Sequence, residues 1–263
     1  MSAETLLVAA PSPNVRIVTL NRPASRNAID TGLAGALASF FSTAPALVAA
    51  DVRAIVVTGA GEHSFCAGAD LKERLGLDVT TWTAQHELLE SAFDAIGKCP
   101  IPLIAAVNGY AFGGGCELML ACDLAIASEA ASFSQPEVLR GIIPGCGGTC
   151  RLASRIGTAR AKEMIFTGRR VSTAEALQWG LVNRVVPASE VRTAALELAA
   201  ALAANAPVAL REAKSAIDRG WDLPLEEALA RELQAYRATL ETEDRHEGIA
   251  AFNEKRTPCF TNR

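Results

Sequence analysis

The stretch that most constrains this chain is Asn108–Glu117 (NGYAFGGGCE), where three consecutive glycines stand between an apolar run and a helix-forming run. Ile101–Val107 (IPLIAAV) before it is short, apolar and partly β-branched, which suits a strand buried on both faces. Leu118–Ala121 (LMLA) after it continues as a helix. A helix N-terminus has free backbone N–H groups and a partial positive charge, and glycines there let a ligand approach the backbone unobstructed. Glu117 then falls in the first helical turn, beside whatever those amides bind. Glycines chosen for close packing in a tight strand-to-helix turn would give the same string. Glu117 would then be only a favourable charge at a helix start.

The flanking patterns place this junction in a larger plan. Val15–Leu20 (VRIVTL) alternates as a half-buried strand, Asp30 caps a helix predicted to run to about Ala50, and Ala54–Thr58 (AIVVT) is a second buried strand. Cys66–Ala69 (CAGA) is small-residue backbone leading toward a helix start, because Asp70 and Glu73 have the spacing of a capping box. Helix is predicted over Thr80–Lys98, strand over Asp123–Ala127, and a short extended piece over Ser132–Gln135 that Pro136 ends. Glu137 and the loop Gly141–Gly148 follow. Helices are predicted at Thr149–Ile156, Thr158–Phe166, Thr173–Trp179, Ser189–Asn205, Val208–Arg219 and Pro224–Lys255, the last interrupted near Glu243–His246. A short strand is predicted at Asn183–Val186. Alternating strands and helices followed by helices alone indicate an α/β fold with a helical appendage. The alanine- and leucine-rich appendage suggests packing on something large, such as another subunit.

Several function classes drop out. A net charge of −4 gives no electrostatic case for nucleic acid or an acidic membrane surface. No apolar run reaches the length of a membrane span, since Asn108 and Gly109 interrupt the best candidate. The N-terminal segment MSAETLLVAAPSP lacks the basic and hydrophobic regions of a signal peptide. Seven scattered cysteines, at 66, 99, 116, 122, 146, 150 and 259, read as reduced packing residues of a cytoplasmic protein, not a disulfide framework. Cys146 and Cys150 find no partners for a zinc site, and His63, His86 and His246 have no i, i+4 mate, so no metal is expected. His63 and His246 are expected at the surface and His86 in an exposed helix. There is no G-x-S-x-G elbow, no phosphate-binding P-loop and no G-x-G-x-x-G dinucleotide turn.

What remains is backbone N–H groups and carboxylates. If Cys66–Ala69 and Gly113–Gly115 face one another, their amides form an oxyanion hole for a thioester or similar carbonyl that becomes enolate-like. One missing donor in such a site costs roughly 3–4 kcal/mol of barrier. Enolate chemistry also needs a proton donor or acceptor, and Glu117 and Glu137 are the candidates. On spacing alone, Glu137 also fits a solvated glutamate after a proline.

Taken together, Leu20–Asn27 (LNRPASRN), Phe65–Glu73 (FCAGADLKE), Ala105–Glu117 (AAVNGYAFGGGCE), Cys122-Asp123, Ser134–Glu137 (SQPE) and Gly141–Arg151 (GIIPGCGGTCR) resemble the enoyl-CoA hydratase/isomerase, or crotonase, superfamily. Gly168-Arg169, Ala174–Asn183 (AEALQWGLVN) and Phe252–Arg256 (FNEKR) extend the resemblance over nearly the whole chain. It implies a crotonase-like spiral of β-β-α units over residues 1–200 and a helical C-terminal trimerisation region over 201–263, forming a homotrimer or a homohexamer of two stacked trimers. It also implies that the Ala69 and Gly114 amides bind the thioester oxygen of an acyl-CoA. Glu117 and Glu137 match the two hydratase carboxylates, and Gly145 matches a residue whose backbone helps place the water. Arg26, Ala67, Gly68, Asp70 and Leu71 fall at expected substrate or CoA contacts, and Tyr236 and Lys255 at positions reaching CoA from a neighbouring subunit.

The resemblance implies no cofactor beyond the coenzyme A carried by the substrate, and it associates the chain with fatty-acid metabolism and β-oxidation without fixing the pathway. Cys150 departs from the usual glutamine and is expected to bear on helix packing. The retention of both glutamates implies syn hydration of a 2-enoyl-CoA, with Glu117 as base toward water and Glu137 as acid toward Cα. GADLKER with GIIPGCGG is also similar to methylglutaconyl-CoA hydratases. A double-bond isomerase using one carboxylate is a further alternative. RNA binding, known among relatives of the methylglutaconyl type, is disfavoured by the acidic charge and the lack of a Lys/Arg-rich helix.

Overall fold

The computed structural model describes residues 4–263, so the N-terminal expectation falls partly, at residues 1–3, outside the described residues. Strands β1 (Leu6–Ser12) and β2 (Val15–Leu20) form an antiparallel hairpin. Helices α1 (Thr31–Ser42) and α2 (Ala44–Ala49) follow. From there the chain repeats one pattern, a longer strand, a three-residue strand and a helix. The first round is β3 (Ala54–Gly59), β4 (Ser64–Cys66) and α3 (Val79–Gly97); the second is β5 (Leu103–Val107), β6 (Tyr110–Phe112) and α4 (Gly114–Ala121). The third is β7 (Leu124–Ser128), β8 (Ser132–Ser134) and, after a 3-10 turn at Glu137–Arg140, helices α5 (Gly148–Ile156) and α6 (Thr158–Thr167). Then come β9 (Val171–Ser172), α7 (Thr173–Trp179), β10 (Arg184–Val186) and helices α8 (Val191–Ala203), α9 (Pro207–Gly220), α10 (Leu225–Thr239) and α11 (Glu243–Glu254).

Each round sends its first strand to one sheet and its second to another. The large sheet has the order β1-β2-β3-β5-β7-β10 and the small one β4-β6-β8-β9. This is a β-β-α spiral. Side-chain alternation along the strands divides the interior: Ile55 and Val57 face the main core with Leu33, Leu37, Phe41 and Phe93, while Ala54 and Val56 face α8. Ala194, Ala195 and Ala199 let α8 lie close on the sheet, where Ile17, Ile104 and Ile126 are fully covered. Burying each such large aliphatic side chain contributes about 1.5–3 kcal/mol. Among the described residues, no single helix is long and apolar enough to cross a membrane.

Two predicted helices end up elsewhere. Asp30 does cap α1, accepting from the Leu33 N–H at 2.8 Å, but the helix stops at Ser42. Pro45, in the first turn of α2, has no N–H to continue the ladder, and a second short helix starts there. Asp70 begins no α-helix. Its carboxylate pairs with Arg22 at 3.0 Å, and Glu73 reaches the Thr31 N–H and Gln85 instead of closing a capping box. Residues 71–76 form turns, and α3 waits for Asp78, whose side chain accepts from the Thr81 N–H at 2.7 Å.

Candidate active site

The glycine junction forms as the sequence suggests, with the short strand β6 inserted before it. Pairing of β6 with β4 and β8 carries the chain to Gly113, whose N–H donates to Ser134 O at 2.9 Å. Gly113 turns the backbone at φ 52°, and α4 starts at Gly114. Cys66–Ala69 is brought beside it: a Cβ on Gly114 would lie 3.5 Å from Ala69 N, and one on Gly68 would lie 3.0 Å from Gly114 N. Gly68 has φ 89° and a Cβ there would also meet Phe112 O at 2.8 Å, so this approach requires glycine. Neither the Ala69 nor the Gly114 N–H has an acceptor among the described residues. Two free amides therefore converge, the Gly114 one at a helix N-terminus.

Both candidate carboxyls reach this junction. Glu117, only 3% exposed, places Oε1 on the Cys146 and Gly148 N–H groups at 2.7 and 2.8 Å and leaves Oε2 unbonded. Burial raises its pKa, opposed by those two amides and by the charges of Arg151 and His86. Glu137, at the start of the 3-10 turn, lies against Gly113, where a Cβ would fall 2.8 Å from its Oε1. Burial, with a further contribution from the Glu117 charge, pushes Glu137 up to about 7. Its acidity is thereby matched to neutral pH.

Supporting residues that sequence reasoning missed complete the arrangement. Gln135, fully buried between the two carboxyls, can donate to both Glu137 oxygens at 3.1 Å once its amide is turned over. Arg151 donates to Cys146 O at 2.8 Å and so fixes the loop that holds Glu117. Both residues sit inside quoted stretches, SQPE and GGTCR, but only the fold shows what they touch. His86 is a correction: its helix face is not exposed. The imidazole is partly buried against Gly145, where a Cβ would lie 2.5 Å from Cε1 and 2.7 Å from Nε2, and it pairs with Glu90 at 3.3 Å. His63 and His246 are exposed, as expected.

The remaining predicted residues divide into two groups. Arg26, Ala67, Gly68 and Ala69 are contiguous in space, with Ala67 N donating to Arg26 O at 3.1 Å and the Arg26 side chain exposed. Asp70 is committed to Arg22 and the Lys72 N–H; burial alone would raise its pKa, but Arg22 and the amides outweigh that and lower it. Leu71 is exposed beside it. Tyr236 on α10 and Lys255 at the end of α11 are exposed, and neither enters the contacts of the glycine junction. Five cysteines are buried as packing residues, whereas Cys150 and Cys259 are exposed, so the Cys150 thiol joins no core. Among the described residues, no cluster of three or more potential metal ligands occurs.

Known proteins match the chain over nearly its full length. A family model described as enoyl-CoA hydratase/isomerase matches residues 11–263. A short-chain-enoyl-CoA hydratase of Clostridium acetobutylicum is 41% identical over 92% of each chain. A 2,3-dehydroadipyl-CoA hydratase of Escherichia coli is 41% identical over 98% of this chain and 99% of its own. The solved structure of an enoyl-CoA hydratase from Bacillus anthracis superposes with a TM-score of 0.95 at 42% identity, covering 98% of this chain and 100% of that one. Two free amides between paired glycine turns, a buried and a half-buried glutamate beside them and these full-length matches lead to one conclusion: the chain belongs to the enoyl-CoA hydratase/isomerase family.

Proposed function

We propose that this chain is a 2-enoyl-CoA hydratase, adding water syn across the conjugated double bond to give a 3-hydroxyacyl-CoA. The observation that carries the reading is the placement of two carboxyls, the buried Glu117 and the half-buried Glu137, at one pair of free amides. A pair of amides alone serves any reaction through a thioester enolate. Hydration also needs one group to take a proton from water and one to give a proton to Cα.

The Ala69 and Gly114 N–H groups hold the thioester oxygen as it gains negative charge. Oε2 of Glu117 takes a proton from the water, whose oxygen bonds to Cβ while the double-bond electrons move into the enolate. Gly145 helps place that water. Glu137, near half-protonated at neutral pH, gives its proton to Cα as the enolate collapses. No cofactor enters beyond the CoA of the substrate. An isomerase needs only one such carboxyl, so the second would be idle.

The test is loss of conjugated thioester absorbance with crotonyl-CoA, beside Glu117→Gln and Glu137→Gln. Each substitution is expected to lower kcat by about 10²–10⁴-fold. Wild-type inactivity on 2-enoyl-CoA, with conversion of 3-enoyl to 2-enoyl thioesters, would replace hydratase by isomerase. The pH profile of kcat/KM should fall above about pH 7 as Glu137 ionises, and Glu137→Gln should remove that limb. Because the folded pKa lies above the ordinary 4.5, wild type loses stability as pH rises through that window. Melting of Glu137→Gln should therefore gain on wild type from about pH 5 to about pH 8.

The same reading includes assembly. Leu225, Leu229, Leu233 and Tyr236 form an exposed stripe along α10, a helix with no buried residue. A homotrimer, or a hexamer of two trimers, would cover it and bring Tyr236 and Lys255 to a neighbour's CoA. Light scattering on the purified protein tests this. The free thiols fit a reducing compartment such as the cytoplasm.

A further inference from the structure

Arg74 is a buried cation without a counter-ion. It is 7% exposed, and among the described residues the only hydrogen bond of its side chain runs from Nε to Gln85 Oε1 at 2.8 Å. Its guanidinium stacks on Trp82, 4.6 Å from the ring centroid. No carboxylate among the described residues forms an ion pair with it. Glu73, whose charge acts on it, has Oε2 occupied by the Thr31 N–H and the Gln85 amide. Cation–π contact lowers the cost of the buried charge but does not neutralise it, and buried charges ordinarily have partners.

The position of Arg74 says what a partner would belong to. Its charge acts on the Cys146 thiol, and Cys146 N–H holds Glu117. Trp82 and Gln85, which hold Arg74, share the first turns of α3 with His86, whose ring lies against Gly145. Two basic side chains, Arg74 and His86, thus stand beside the loop 145–146 that holds Glu117. His86 already has Glu90. Arg74 has no such partner, and its Nη groups accept a planar carboxylate in a two-pronged geometry.

We propose that Arg74 receives a carboxylate at the distal end of the acyl chain, so that the site selects enoyl-CoA thioesters of dicarboxylic acids over those ending in methyl. This rests on the acyl-CoA reading of the site but not on hydration itself. A site built around a buried charged partner discriminates far more strongly than an apolar pocket that only fits length.

The experiment compares kcat/KM for glutaconyl-CoA with 2-pentenoyl-CoA, and for 2,3-dehydroadipyl-CoA with 2-hexenoyl-CoA, in wild type, Arg74→Met and Arg74→Lys. At least one acidic substrate should exceed its length-matched neutral partner by about tenfold or more in wild type. Arg74→Met should reduce that ratio by about the same factor, and Arg74→Lys should keep part of it. Calorimetric binding of the unreactive glutaryl-, adipyl-, pentanoyl- and hexanoyl-CoA gives the readout if hydration fails. An acid preference in binding that Arg74→Met removes would support the proposal even then. A wild-type preference for neutral chains in both measurements, or equal losses for acidic and neutral chains in a folded Arg74→Met, would overturn it.

Discussion

The two amides of the candidate oxyanion hole come from two differently built pieces of chain. Gly114 stands at the start of α4, whose eight residues are all buried, and its N–H is the terminus of a helix. Ala69 stands in irregular backbone after β4, followed by turns and not by a helix. What fixes it is external. Ile29 makes a parallel bridge with it, through Ile29 N to Gly68 O at 2.8 Å and Asp70 N to Ile29 O at 2.9 Å. Arg22 then joins Asp70 to Asp30, the cap of α1, at 3.0 Å each. One donor is oriented by its own helix and the other by a separate stretch of chain, residues 22–30. A catalytic group on irregular backbone needs such outside bracing to hold its geometry.

The largest expected effect comes from forcing the two pieces apart. A Cβ on Gly115 would fall on the Cys66 carbonyl, so Gly115→Ala must separate α4 from β4. We expect a stability loss of about 3 kcal/mol, read by denaturant unfolding. A kcat loss of about 10³-fold should accompany it. If crystallography of that variant showed the amides unmoved with activity retained, the contact would not set the hole. Gly68→Ala acts on the braced side alone, adding a clash with Phe112 O and a left-handed φ for a residue with a side chain. It should lower kcat by about 10²-fold with a smaller stability loss of about 1–2 kcal/mol.

The smallest effect on kcat tests the bracing itself. Arg22→Met leaves Asp30 and Asp70 without their shared cation while filling similar volume. We expect about 1–3 kcal/mol less stability and about tenfold lower kcat, with KM for crotonyl-CoA changed less than kcat. Equal rates in the two proteins would show that the Ile29 bridge suffices. A loss equal to that of Gly115→Ala would erase the distinction between the two regions.

Much of this was legible in one dimension. Apolar runs such as AIVVT and LIAAV could only be buried strands, and the glycine triplet after the second could only be a close approach of backbone. Both glutamates were visible for the same reason, each beside a glycine- or proline-bounded turn. Where local signals misled, a distant partner took the side chain. Asp70 and Glu73 have capping-box spacing, yet Arg22, Thr31 and Gln85 claim their carboxylates. β1 gave little signal, because only Leu6 of its seven residues is buried and its pairing with β2 supplies the order.

By itself the sequence determined the strand–helix alternation and the two small-residue turns, because periodicity and glycine act within a few residues, and it offered Glu117 and Glu137 as candidate carboxyls through the family resemblance. The tertiary structure decided that the turns face each other, that Cys146 and Gly148 hold Glu117, and that His86 lies on Gly145. It also decided that Arg74 is buried without a carboxylate. Those facts depend on contacts between residues tens of positions apart, and on the desolvation that only a closed core imposes on a charge.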